Sequence, residues 1–231
     1  MKKAVFILFL CFSLLSFGKG YKITYKIYLS GSDKPYIETT IMCEKWMKIS
    51  IDKNRYYLFQ NYKGYIVDEK NKKAIEYDFN KNKPFFAAFV ANYGITTTDG
   101  NIVFPQLIFK KTKKTIKVNK ILARKYELPG NYLNSKSTAW FAENKLRYNG
   151  TLFAKYLSFF TNSKRLLNQA KNLNSFPLRI ETVLQGGIVK DSNIRVLDKI
   201  EEINCPNKSF KIPSDFKIIK AKPQGLPVAE M

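Results

Sequence analysis

The chain has 231 residues, and its 40 lysines and arginines against 18 acidic residues give it a formal net charge of +22 at pH 7. This length is enough for one domain with a full hydrophobic core. The chain contains no histidine, which excludes Ser-His-Asp and Cys-His activation of a nucleophile and removes the commonest zinc ligand.

The first residues have the three parts of a secretory signal peptide. Two lysines follow the initiator methionine, an uncharged apolar run covers residues 4–15, and Ser16 and Gly18 put small residues at the −3 and −1 positions of a cleavage site. We therefore predict a cleavable signal over residues 1–18, with a second cleavage site after Gly20. The expected destination is the periplasm of a bacterial envelope.

Two alternatives compete with a cleaved signal. A retained membrane anchor needs roughly 20 apolar residues to span a bilayer, and the apolar run is shorter than that. Lipidation at Cys11 needs a small residue before the cysteine, where this chain has Leu10. A cleaved signal explains the segment better than either alternative.

After the signal, alternating apolar residues predict a series of strands. In the first strand, Tyr21, Ile23, Tyr25, Ile27 and Leu29 share one face, and polar side chains take the other. Short polar connections favour an antiparallel meander, in which each strand pairs with the next. The strands predicted in this half of the chain cover residues 21–29, 37–43, 46–51, 55–60, 64–67 and 74–79.

The second half mixes helices with strands. A proline-initiated apolar segment predicts a helix over residues 84–93, and an amphipathic basic segment predicts another over 151–172, divided at 161–163. Because no repeat or boundary interrupts it, residues 19–220 are expected to form one domain, with residues 221–231 as a loose tail. Further strands are predicted over residues 102–109, 116–128, 136–143, 177–184 and 192–203, with a short segment over 209–212.

Only two cysteines, Cys43 and Cys205, follow the signal. An oxidising compartment would allow them to pair. The bridge would close a loop of about 160 residues, which stabilises a fold by roughly 4–5 kcal/mol on the chain-entropy model. Two buried free thiols are the alternative, and the sequence does not decide between them.

The sequence has no motif for catalysis or for a cofactor. It contains no GxxxxGK[ST] or GxGxxG loop to hold phosphate, and its acidic residues are scattered among lysines, where surface pairing explains them. Carboxylates brought together only by the fold would leave no sequence signature, so a hydrolase that uses such carboxylates is the third hypothesis. We predict a protein that is not an enzyme, with no cofactor, no metal site and no catalytic residue.

Several short motifs occur in a fixed order along the chain: EKWMKI at 44–49, GYIVD at 64–68, KAIEY at 73–77, ARKYE at 123–127, STAWFA at 137–142, FPLRIE at 176–181 and SFKIP at 209–213. Taken together, they resemble the bacterial DUF4412 family, whose members are similar to the LolA/LolB-like periplasmic lipoprotein carriers. The resemblance implies an incomplete, curved antiparallel β-barrel with helices over its apolar concave side, and it implies no catalytic residue.

Alternating strands and apolar helices are also what a curved sheet covered by helices requires. We therefore expect an α+β, mainly β fold: a half-open β-barrel with helices over the concave side. The leading functional hypothesis is a monomer that binds a lipid or the acyl chains of a lipoprotein in this concavity, with cationic residues at the rim meeting an anionic headgroup. The candidate lining residues are Trp46, Tyr65, Phe85, Phe89, Trp140, Phe159 and Phe160.

The second hypothesis is an envelope interaction module. Its basic surface would dock on an anionic membrane, on lipopolysaccharide or on a protein partner, and this binding would weaken steeply with salt. The basic amphipathic segment at 151–172 fits either hypothesis, because its apolar stripe can face the core or a membrane. Nucleic acid, the usual partner of so basic a chain, is not expected for an exported protein.

Overall fold

The computed structural model describes residues 17–82, 85–86, 96–98, 101–103, 110–128, 135–184, 191–206 and 209–222. The predicted signal peptide lies almost wholly outside these ranges, as does most of the predicted tail. Of the helix predicted over 84–93, only Phe85 and Phe86 are described, and both are helical.

The described chain is mainly β, with two helices. The helices are α1 (Gly150–Leu157) and α2 (Lys164–Lys171). The strands are β1 (Phe17–Leu29), β2 (Tyr36–Met42), β3 (Trp46–Ser50), β4 (Arg55–Gln60), β5 (Lys63–Asp68), β6 (Lys73–Asp78), β7 (Thr96–Thr98), β8 (Asn101–Val103), β9 (Lys110–Val118), β10 (Ile121–Leu128), β11 (Ser135–Ala142), β12 (Arg179–Leu184), β13 (Asp191–Pro206) and β14 (Lys217–Lys220).

Twelve of these strands form one sheet, in the order β14-β6-β5-β4-β3-β2-β1-β13-β12-β11-β10-β9. The antiparallel meander predicted for the first half is confirmed, because β1 to β6 are successive neighbours. Strand β14, which the sequence did not predict, runs parallel to β6. Among the described strands, β7 and β8 form a separate two-stranded sheet. The described sheet ends at β14 and β9 and is not closed into a barrel.

The central pair of the sheet joins the first and last long strands. Strand β1 pairs with β13 over its whole length, from Phe17 opposite Pro206 to Leu29 opposite Asn193. The register shifts once, where Asp198 is the extra residue of β13. The alternation predicted for β1 is confirmed over most of the strand, since Ile23, Tyr25 and Ile27 are buried on one face, while Leu29 at its end is 51% exposed.

Both helices begin at side-chain caps. The side chain of Asn149 accepts a hydrogen bond from the backbone N–H of Thr151 at the start of α1, and Ser163 caps α2 by accepting one from Leu166. The predicted division of this region at residues 161–163 is therefore confirmed. The helices pack closely at Gly150, where an added Cβ would lie 2.1 Å from the carbonyl oxygen of Ala170.

Apolar side chains cover the sheet on both faces. We call the largest cluster the helix-side core, because residues of the helical region, including Phe153, Tyr156 and Leu157, pack on the sheet there. The strands that contribute to it are β1, through its odd-numbered residues, β2 to β6, β11 and β12. On the opposite face, residues 209–216 form what we call the C-terminal strap. It covers the strap cluster, which comprises Cys43, Trp46, Tyr56, Leu58, Tyr65, Val67, Ala74 and Cys205. A third group, the hairpin cluster, contains Val118, Ala123, Trp140, Ala142 and Leu178.

A disulfide joins Cys43 to Cys205, with their Cα atoms 5.7 Å apart and 162 residues between them in sequence. It links the start of the β2–β3 turn to the end of β13 and crosses β1 at Gly20. A Cβ at Gly20 would lie 2.1 Å from the Sγ atom of Cys205 and 3.1 Å from the carbonyl oxygen of Met42. Glycine is therefore required here because the disulfide passes so close to the backbone.

We expect Gly20→Ala to destabilise the oxidised protein by about 1–3 kcal/mol, because the new methyl group overlaps the bridge. In the background Cys43→Ala/Cys205→Ala, the same change should cost clearly less, since the sulfur atom is gone. Urea unfolding followed by tryptophan fluorescence in both backgrounds measures the difference. An equal cost in the two backgrounds would show that the disulfide does not set the space at this position.

Candidate functional site

The best candidate for a binding site is a groove at one end of the sheet, between the end of α1 and the loops that flank β3, β4 and β5. Its volume is about 330 Å³, within the range of small-molecule sites. It lies where the helices meet the sheet, at the edge of the helix-side core. The lining residues are Glu44, Lys45, Gln60, Asn61, Tyr62, Lys63, Ser158 and Phe159.

The tight β4–β5 turn places the aromatic wall of this groove. Asn61 and Tyr62 have φ values of 51° and 57°, and positive φ at both central residues is typical of a two-residue hairpin turn. The turn leaves the Tyr62 side chain 74% exposed, with its ring edge-on to Phe79 at 6.3 Å. Phe79 in turn contacts Phe86 at 4.8 Å. A line of aromatic rings therefore leads from the groove into the helix-side core.

The opposite wall is formed by the residues that follow α1. Phe159 is half-buried and lines the groove. Its neighbour Phe160 is fully buried in the helix-side core, 4.8 Å from Phe59 and 5.3 Å from Tyr156 between ring centroids. The two adjacent phenylalanines thus have different roles: Phe160 is a core residue, and Phe159 forms part of the groove wall.

One groove-lining residue has a buried polar atom without a hydrogen-bond partner among the described residues. Gln60 donates its Nε2 hydrogen to the carbonyl oxygen of Phe210 at 3.0 Å, but its Oε1 atom is unpaired. Trp46, directly opposite Gln60 on β3, also has an unpaired Nε1 atom, but it lies in the strap cluster and does not line the groove. Buried polar groups are normally satisfied, so the Gln60 amide oxygen is the atom at this groove that a donor group of a ligand would satisfy.

The charged residues of the groove differ in how they are engaged. Lys63 forms an ion pair with Glu76 at 3.0 Å, and Glu76 also accepts a hydrogen bond from the Tyr65 hydroxyl at 3.0 Å. Burial, and then this hydrogen bond, raises the pKa of Tyr65, so the phenol stays neutral. Lys45 is exposed and forms no ion pair with a described residue. It is the cation of the groove that can meet an anionic ligand.

The structure distributes the predicted lining residues over both faces of the sheet. Phe159 lines the groove, and Phe85 and Phe160 lie in the helix-side core next to it. Trp46 and Tyr65 lie on the opposite face in the strap cluster, and Trp140 lies in the hairpin cluster. Phe89 is outside the described residues. The six described residues are therefore not gathered around one cavity. Met47 and Ile66, the strand neighbours of Trp46 and Tyr65, are the residues that face the helices.

Sequence reasoning missed the residues of the β4–β5 turn. The sequence pattern predicts only a polar connection at Asn61 and Tyr62, although a tyrosine at the tip of a two-residue turn has no core to enter and must be exposed. Lys45 does not stand out in the sequence, because it is one of many lysines. Their position beside the end of α1 depends on long-range packing.

A second pocket, of about 250 Å³, lies at the other end of the sheet and is polar. Its two aspartates are already engaged. Asp52 accepts hydrogen bonds from the backbone N–H groups of Asn54 and Arg55, and Asp68 accepts them from Asn71. These bonds lower the pKa of both carboxyls. No group of three or more potential metal ligands occurs in the part of the chain that the structure describes.

Within the described ranges, no helix is both long enough and apolar enough to span a membrane. This holds for α1 and α2, which have eight residues each.

No protein-family model and no curated protein matches the chain. Among solved structures, PNGF-II is similar over 88% of this chain and 31% of its own, at 12% identity and a TM-score of 0.42. The chain therefore spans about a third of that protein. An uncharacterized conserved protein from Thermus thermophilus is similar over 87% of this chain and 90% of its own, at 6% identity and a TM-score of 0.47.

A putative outer membrane lipoprotein-sorting protein domain from Vibrio parahaemolyticus is also similar, over 79% of this chain and 85% of its own, at 10% identity and a TM-score of 0.32. At these identities and TM-scores the likenesses carry no argument about function. Membership of the DUF4412 family and likeness to LolA stay predictions from the sequence motifs.

Two adjacent substitutions test the geometry of the groove wall. We expect Phe160→Ala to destabilise the protein by about 3–5 kcal/mol, because it empties a fully buried site. Phe159→Ala should cost less than half as much, because that ring is already partly in solvent. Urea unfolding of the two variants gives the comparison. Equal losses would mean that Phe159 is a core residue and not part of a groove.

Proposed function

We propose that the protein is exported to the bacterial envelope and binds a lipid or acylated ligand without catalysing a reaction. The ligand enters through the groove between α1 and the β4–β5 turn. The single observation that carries this proposal is the composition of the groove, which places two exposed or half-exposed aromatic rings beside a free cation. An amphiphile with an acyl chain and an anionic headgroup has the complementary chemistry.

The aromatic line behind the groove supports an apolar path for the acyl chain. Tyr62, Phe79 and Phe86 lie in sequence from the surface to the core, with ring centroids 6.3 Å and 4.8 Å apart. Behind these rings, the described residues of the helix-side core are buried against one another. In this proposal the chain of the ligand lies along these rings, under the helices that cover the concave side of a half-open barrel.

The headgroup would lie at the mouth. Lys45 supplies the free positive charge, and the unpaired amide oxygen of Gln60 lines the same groove. Lys63 is held by Glu76, so it adds its charge only if that ion pair opens.

The disulfide between Cys43 and Cys205 supports the export part of the proposal, because such bonds persist in oxidising compartments. The start of β1 also favours one of the two cleavage sites. Lys19 pairs with Asn204 in the sheet, and its Nζ lies 2.9 Å from a carboxylate oxygen of Glu202. Cleavage after Gly18 keeps these interactions and Gly20, whereas cleavage after Gly20 removes them.

We expect the protein recovered from an envelope extract of an expressing bacterium to begin at Lys19. Intact mass spectrometry under oxidising conditions measures both the new terminus and the disulfide. A protein that keeps its first eighteen residues in the cytoplasmic fraction would contradict the export proposal.

The ligand proposal is tested first by purifying residues 19–231 without detergent and searching an organic extract for bound lipid by mass spectrometry. Binding is then measured with a dansyl-labelled fatty acid. We expect Phe159→Ser to weaken binding of this probe about five- to tenfold, because part of an aromatic contact surface is lost. Lys45→Glu should weaken it about two- to fivefold, as expected for an exposed ion pair.

Leu122→Ser and Lys113→Glu are the matched controls, since they make the same kinds of change on the other half of the sheet, where Leu122 is 50% exposed. Both should bind the probe like the parent protein. A clean extract together with no probe binding, or equal effects of groove and control variants, would reject the groove as a lipid site.

A second candidate function is favoured by the composition of β9. This edge strand carries five exposed lysines in nine residues: Lys110, Lys111, Lys113, Lys114 and Lys117. Such a row would attract lipopolysaccharide or another polyanion. Binding through β9 would weaken steeply with salt, whereas an acyl chain in the groove would be held nearly as well at high salt.

A further inference from the structure

The end of the β1–β2 hairpin has an unusual concentration of exposed apolar side chains. Eight large hydrophobic residues are exposed in the described part of the chain, and four of them lie at this one hairpin end. Scattered exposed hydrophobic residues are normal, but a contiguous group marks an interaction surface. The four are Tyr28 (41% exposed), Leu29 (51%), Tyr36 (38%) and Ile37 (47%).

The register of the hairpin spreads these side chains over both of its faces. Ile27 lies opposite Tyr36 and Lys26 lies opposite Ile37. Because side chains alternate along a strand, Leu29 and Tyr36 project toward the helix side of the sheet, and Tyr28 and Ile37 project toward the other side. Apolar side chains therefore project from both faces of the hairpin next to its polar turn at residues 30–34.

Hydrogen bonds hold the hairpin end in place. The backbone N–H of Ser30 donates to the carbonyl oxygen of Ser192 on β13 at 3.0 Å, and that of Ser32 donates to Leu29 at 3.1 Å. The single hydrogen of the Tyr36 hydroxyl is donated to the backbone carbonyl oxygen of Ile51, with that of Ser50 also within hydrogen-bond distance. These bonds order the backbone of the hairpin end and tie the Tyr36 side chain to the β3–β4 turn.

Cations flank this end. Because the strands from β1 to β6 are antiparallel neighbours, the β1–β2, β3–β4 and β5–β6 turns lie at the same end of the sheet. Each turn carries an exposed lysine that forms no ion pair with a described residue: Lys34, Lys53 and Lys70. Asp52 nearby is already paired with Arg55, and Asp33 is the exposed acid of the hairpin itself.

We propose that this end of the sheet docks on an anionic lipid bilayer, with the tip of the β1–β2 hairpin inserted among the headgroups. Aromatic and aliphatic side chains flanked by lysines are the combination that binds such a surface. The net charge of +22 draws the whole molecule toward it. The groove lies at the opposite end of the sheet, so this docking is independent of the proposed ligand site.

The test is co-sedimentation with vesicles of pure phosphatidylglycerol and of pure phosphatidylcholine. We expect binding to phosphatidylglycerol and little to phosphatidylcholine. Leu29→Ser/Ile37→Ser should weaken the binding at least about tenfold, since two apolar side chains no longer enter the interface. Lys34→Glu/Lys53→Glu/Lys70→Glu should also weaken it and reduce its salt dependence.

Two matched variants separate this surface from the rest of the protein. Leu122→Ser/Ile218→Ser removes two residues that are 50% and 51% exposed elsewhere, and Lys113→Glu/Lys114→Glu reverses charge on β9. The first should bind vesicles nearly like the parent protein. The second should lose only the affinity that comes from net charge, and so lose less than Lys34→Glu/Lys53→Glu, which changes the net charge by the same amount. Docking that is lost with the β9 variant and kept by the hairpin variant would overturn the proposal.

A conservative variant provides a second readout. Tyr28→Trp keeps an aromatic ring at the hairpin end, and its added fluorescence should shift to shorter wavelength with phosphatidylglycerol vesicles, whereas Leu122→Trp should show no added shift. Light scattering of the protein without vesicles measures whether a second copy of the chain binds this surface instead. A dimer that the hairpin variant dissociates would assign this end to a second copy of the chain and overturn the membrane proposal.

Discussion

The pairing of β1 with β13 is the interaction on which the rest of the structure depends. Strand β1 has the meander β2 to β6 on one side and β13, with β12 to β9, on the other. Its residues pair with others about 165 to 190 positions away in sequence, from Leu29 opposite Asn193 to Phe17 opposite Pro206. Among the described strands, no other pair joins the two halves of the sheet. The helix-side core takes residues from both halves, so this pair aligns the two parts of one core.

This dependence explains the position of the disulfide. Cys205 is near the end of β13 and Cys43 follows β2. The bridge therefore links the two strands that flank β1, and it passes over the first residues of β1. On the same face of the sheet as the disulfide, Phe210 of the strap packs on Trp46 at 5.3 Å. The strap then leads to β14 and to Lys222, whose carbonyl oxygen accepts a hydrogen bond from Asn82 at 2.7 Å. The disulfide and the strap therefore belong to one cluster that covers this face.

Local patterns predicted the parts of the fold that depend on neighbours in sequence. The alternation in β1, the meander and the division of the helical region before Ser163 all follow from short-range rules. What the sequence did not decide was which layer covers each face. Trp46 and Met47 are equally good core residues, and only the position of the strap, set by residues more than 160 positions away, puts one under it and the other under the helices. The groove was missed for a related reason, because Tyr62 and Phe159 come together only in three dimensions.

The five lysines of β9 have a consequence for the protein at high concentration. An edge strand presents unpaired backbone donors and acceptors that invite a strand from another molecule. Mutual repulsion between the lysine rows of two copies opposes that approach. Acetylating or strongly screening these ammonium groups would remove the repulsion and leave β9, an edge of the described sheet, more open to pairing between molecules. The charge state of one strand thus bears directly on how readily two copies join edge to edge.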